Sequence, residues 1–165
     1  MVMLTYKVPD EIIDVARGGE YNSFDLNAFF EAKGEGDAAE FVMKEHVQKW
    51  LNLMRGSYMP QSHDDLKLGA KKPALPYSDT RLLSVLNHTV WYLPRVNSCY
   101  AMRNLLNEPQ NTFFQDYCIN VAAGVEAGVG LAALERVQET MQDPLKSKTI
   151  TLTCGKLTTG VTVKL

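Results

Sequence analysis

The chain has 165 residues, enough for one domain, and its 45% hydrophobic and 22% charged content is that of a chain with a core to bury. A formal net charge of −2 supplies no global basic field, so any nucleic-acid contact has to be local. No apolar run reaches the length of a membrane span, and the N-terminus lacks the apolar stretch of a secretory signal. The expectation is a cytoplasmic protein with no membrane partner. Cys99, Cys118 and Cys154 are odd in number and each sits in an apolar run. They read as buried thiols in a reducing compartment rather than as a disulfide or a metal site.

In chain order, residues 3–8 have strand character that Pro9 ends, and Asp10 reads as a helix cap. Ser23 or Asp25 is placed to cap a short helix through Phe29 and Phe30. After the turn at 33–37, residues 38–55 carry Met43, Val47, Trp50, Leu51 and Met54 at helical spacing, one apolar face of a packing helix. Residues 1–56 thus read as a mainly helical N-terminal subregion. Residues 57–77 are polar and hold His63, Asp64, Asp65 and two adjacent lysines, which marks a long loop or linker.

From residue 78 onward the pattern alternates. A helix is predicted over 80–87, a strand over 88–93, a helix over 96–106, a strand over 117–122, a helix over 128–141 and a strand over 149–154. Such alternation predicts an α/β fold whose parallel sheet is built by right-handed crossovers. Ligands of such sheets gather at the carboxyl ends of the strands. Three loops are expected to share that edge: 94–98, 123–126 and 155–160.

A phosphate-gripping loop needs G-x-x-x-x-G-K-[ST]. The chain's one Gly-Lys pair, Gly155-Lys156, has Ile150 and Leu157 at the required flanking positions and fails at both ends. His46, His63 and His88 share no metal-binding spacing, so no metal site and no catalytic set is expected. Gly128 to Ala133 reads G-x-G-x-x-A at a helix start, the basis of an alternative reading as a non-catalytic α/β module that binds a dinucleotide. Against it, those glycines begin six residues beyond the strand end, and no acidic ribose anchor follows at the expected distance.

The segments HTVWYLPRVNSCYAMRNLL, FFQDYCINVAAG and DPLKSKTITLTCGKLTTGVTV resemble the second RecA-like domain of superfamily 2 helicases, nearest to the DEAD/DEAH and type III restriction kind. The likeness runs from about Asp79 to Leu165 and is most specific at 157–163, which corresponds to helicase motif V. Residues 88–98 correspond to motif IV. The resemblance implies an incomplete RecA-like domain over 78–165, from an ATP-dependent helicase or translocase subunit of a restriction-modification system. It implies phosphate contacts from Arg95, Asn97 and Ser98, a backbone N–H from Gly124, and hydroxyls from Thr158 and Thr159. Gly160 would lie near both DNA and nucleotide. Thr162 stands where many helicases carry an acidic residue on the ribose. Contacts of this kind position a strand without reading its bases. The implied partners are the DNA backbone, the first RecA-like domain of the same parent and a methyltransferase or restriction partner. ATP and Mg²⁺ belong to the parent protein. The arginine-bearing motif VI would follow Leu165, and an apolar strand that stops three residues after Thr162 reads as a piece of a longer protein. The fragment alone is therefore expected to bind DNA weakly and to be catalytically silent.

Overall fold

The computed structural model describes residues 17–18, 23–56, 77, 80–83, 85–123, 131–141, 143 and 145–154. Two short antiparallel pairs come first. Strand β1 (Arg17–Gly18) pairs with β2 (Ser23–Phe24). After helix α1 (Leu26–Phe29), β3 (Ala32–Lys33) pairs with β4 (Glu40–Phe41). Asp25 caps α1 as its sequence position predicts: its carboxylate accepts the Asn27 N–H at 2.8 Å.

Helix α2 (Lys44–Met54) is shorter than the 38–55 expected. Pairing with β3 takes the backbone hydrogen bonds of Glu40 and Phe41, and Gly36–Ala38 forms a single 3-10 turn, so the helix cannot start before them. Its face buries Val47, Leu51 and Leu53. Helix α3 (Thr80–Leu83) is likewise shorter than its pattern.

The remaining elements alternate. They are β5 (His88–Tyr92), α4 (Val96–Leu106), β6 (Cys118–Ala122), α5 (Leu131–Thr140) and β7 (Thr149–Thr153). A 3-10 segment, Pro109–Asp116, joins α4 to β6 and was not legible as an element. The three strands are parallel, in the order β5-β7-β6. Of these three strands, the last in sequence is therefore the central one. The first crossover runs out to the far edge and the second returns to the middle. With right-handed connections, α4 and α5 then lie on opposite faces of the sheet.

The register shows what each face holds. Trp91, Leu152 and Val121 are neighbours across the sheet, as are Thr89, Ile150 and Ile119. This face packs on the buried Cys99, Met102, Leu105 and Leu106 of α4. The alternating positions on the other face are the threonines of β7, flanked by Val90 and Tyr92 on one side and Asn120 on the other. Asn120 donates to Thr140 Oγ1 of α5 at 2.7 Å. Phe29, Phe41, Val47 and Leu51 belong to the same cluster as Met102, Phe114, Ile150 and Leu152, so the segments before and after 57–77 share one core over the residues described.

Candidate nucleic-acid interface

The three strands of the sheet end at one level. Tyr92 and Ala122, the last residues of β5 and β6, are both register partners of Thr153, the last residue of β7. Leu93 N–H extends the ladder to Thr153 O at 2.8 Å, and Thr153 Oγ1 donates to Ala122 O at 3.1 Å. The connections that start at Leu93, Ala123 and Cys154 consequently leave from a single carboxyl rim. Gly124, Thr158, Thr159, Gly160 and Thr162 lie outside the described residues. So do Gly128 and Gly130 of the dinucleotide alternative; α5 opens at Leu131.

Arg95, Asn97 and Ser98 open α4 on this rim and take separate roles. Ser98 has no exposed surface, and its hydroxyl donates to Phe30 O at 2.6 Å. The Asn97 amide donates to Ala32 O at 2.7 Å. Both side chains point back into the protein and brace the helix against the β3 region. Arg95 is the N-cap residue, in extended conformation and exposed, and it forms no ion pair among the described residues. Its side chain does not cap the helix, and Cys99 N–H makes the first intrahelical bond, to Arg95 O at 3.2 Å. The amides of Val96, Asn97 and Ser98 thus precede the first bonded turn, at the positive end of the helix dipole. An exposed arginine therefore precedes amides that its side chain does not cap, a combination suited to an anion.

Sequence reasoning missed that Cys99 and Cys154 share one core cluster. Cys99 is in the first turn of α4, Cys154 follows β7, and both side chains pack in the same core cluster. Burial first, and Cys154 second, push the Cys99 thiol up to about 12. The missing signal is tertiary, since nothing in 99 and 154 as isolated apolar positions pairs them.

Among the described residues no group of three or more His, Cys, Asp and Glu side chains could hold a metal ion, and no helix is long and apolar enough to cross a membrane. Compared with protein-family models, with curated proteins and with solved structures, the chain matches none.

Proposed function

We propose that the chain is part of the second RecA-like domain of a superfamily 2 helicase or translocase, and that its carboxyl rim holds the phosphate backbone of DNA. The observation that supports this reading is the common level at which β5, β6 and β7 end. It draws the starts of three sequence-distant loops to one edge, the place where open parallel sheets receive ligands. In this reading a phosphate sits between the Arg95 guanidinium and the amides of residues 96–98. Asn97 and Ser98 act through their backbone while their side chains hold the helix start in place. In this reading ATP and Mg²⁺ belong to the parent protein, whose first motor domain binds ATP.

Fluorescence anisotropy with a labelled oligonucleotide tests the reading. Binding should weaken with salt, and Arg95→Ala should reduce the slope of log K against log salt by about 1, equally across base sequences. Binding that is independent of salt, or unchanged by Arg95→Ala and Arg95→Glu alike, would reject it. The isolated chain should show no ATPase activity above background.

A further inference from the structure

Tyr92 stands apart from the other aromatic side chains. Each of the others among the described residues meets a second ring or a cation. Tyr92 meets neither among the described residues, and 63% of its surface is exposed. Its place matters more than its exposure, since single exposed apolar side chains are common. Tyr92 closes β5 at the carboxyl rim, and Thr153 and Ala122, beside it in the last register row, are buried. Val90, two residues earlier on the same face, is 59% exposed and lengthens the apolar strip. The strand beneath the ring is fixed: the next amide, Leu93 N–H, donates to Thr153 O at 2.8 Å. Arg95, also exposed, follows three residues later, no more than about 11 Å away even along a fully extended chain. Tyr92 lies on the sheet face opposite α4 and Arg95 opens α4, so the chain crosses the rim between them.

We propose that Tyr92 is a stacking surface for an unpaired nucleobase, so that the rim takes single-stranded rather than duplex DNA.

The inference rests on the reading of the rim as a DNA-backbone site and names the form of DNA that the site accepts. A nucleotide joins a flat base to an anionic phosphate. The rim offers the matching pair, a flat ring at Tyr92 and a cation at Arg95, within one short span of chain. A tyrosine ring presents a large apolar face at low entropic cost, because only two side-chain torsions have to be held. Every base has a π-face, so such stacking is tolerant of sequence. In a duplex each base is already covered above and below by its neighbours and shows only its edges in the grooves. The ring therefore gains a partner only where the strand is unpaired.

The test is fluorescence anisotropy on the whole chain with three labelled probes: an oligothymidylate, an abasic strand with the same number of phosphates, and a blunt duplex. The wild-type chain should bind the thymine strand more tightly than the abasic one. Tyr92→Ala should lose about 5- to 150-fold on the thymine strand, bringing it level with the abasic strand, and lose far less on the duplex. Tyr92→Phe should retain the wild-type affinity, because the ring rather than the hydroxyl makes the contact. Equal wild-type affinity for thymine and abasic strands would overturn the proposal. So would a Tyr92→Ala loss that is the same on all three probes, or a Tyr92→Phe loss as large as that of Tyr92→Ala. In each of these cases, binding that still weakens with salt and still responds to Arg95→Ala leaves the backbone reading in place. Binding that is absent, or independent of salt, removes that reading and the stacking surface with it. The wild-type comparison of thymine and abasic strands decides the question even if a variant fails to fold.

Discussion

Thr151 carries the one buried side-chain nitrogen or oxygen without a hydrogen-bond partner among the described residues. It sits mid-strand in β7 between Val90 and Asn120, with no exposed surface. Burying a hydroxyl unbonded costs more than burying a methyl of the same shape, so Thr151→Val should stabilise the protein by about 1 kcal/mol, read as a higher urea midpoint. A lower midpoint would mean that the hydroxyl has a partner in solution. Two other buried groups make stability depend on alkali. Cys99, ordinarily near 9.0, is held up to about 12 by burial and then by Cys154. Tyr117, ordinarily near 10.0, is pushed up to about 12 by burial and then by Tyr77 and Asp116. Each folded value lies above the unfolded one. The stabilisation is therefore complete below the unfolded value and is lost as pH rises through the folded value. Urea titrations should show stability falling from about pH 9 towards about pH 12, with Cys99→Ala delaying the onset to the tyrosine range near 10. An onset unmoved by that substitution would remove Cys99 from the explanation.

At the scale of elements, α4 is the piece that other segments are fastened to. Its inner face buries Ala101, Met102, Leu105 and Leu106 against the sheet. Its polar positions reach the N-terminal segment. Ser98 and Asn97 bond Phe30 O and Ala32 O, Asn104 Nδ2 donates to Gly36 O at 3.0 Å and Ala39 O at 2.9 Å, and Arg103 pairs with Asp37. Ser98→Ala leaves a buried carbonyl without its donor and should cost about 1–3 kcal/mol in chemical denaturation. The turn that Asn104 holds has its own requirement. Gly34 (φ 77°) and Gly36 (φ 52°) both adopt left-handed backbone, but a Cβ on Gly34 would run into the Ala38 carbonyl while one on Gly36 meets open space. Gly36→Ala should cost about 1–2 kcal/mol from backbone strain alone, and Gly34→Ala clearly more. Equal losses would mean that the turn rearranges around the added atom.

At the scale of the molecule, the two segments of the chain unfold together if they share a core. Trp50 of α2 and Trp91 of β5 are the chain's two tryptophans, and their rings meet edge to face with centroids 6.0 Å apart. Around them stand Phe30, Tyr77 and Phe114. Tryptophan fluorescence therefore reports the junction, while circular dichroism reports the whole. Their denaturation curves should coincide. Separate midpoints would show that residues 23–56 come away before the sheet does.

The alternation from residue 78 onward was legible in the sequence because local periodicity and breakers set it. β5, α4, β6 and β7 begin and end within a residue of their patterns, and the sheet is parallel as alternation requires. Short-range pattern carries no information on which strand lies in the middle, and only packing placed β7 between β5 and β6. The same limit applies to side-chain roles. Asn97 and Ser98 look like rim donors when read beside Arg95, yet the carbonyls of Phe30 and Ala32, more than sixty residues earlier, claim their hydrogens. Cys99 and Cys154 are two ordinary apolar-run cysteines until folding brings both to one core cluster. Backbone preference is a property of neighbours along the chain and can be read from them. Contacts between distant residues come into being only when burial of a common core brings those residues together.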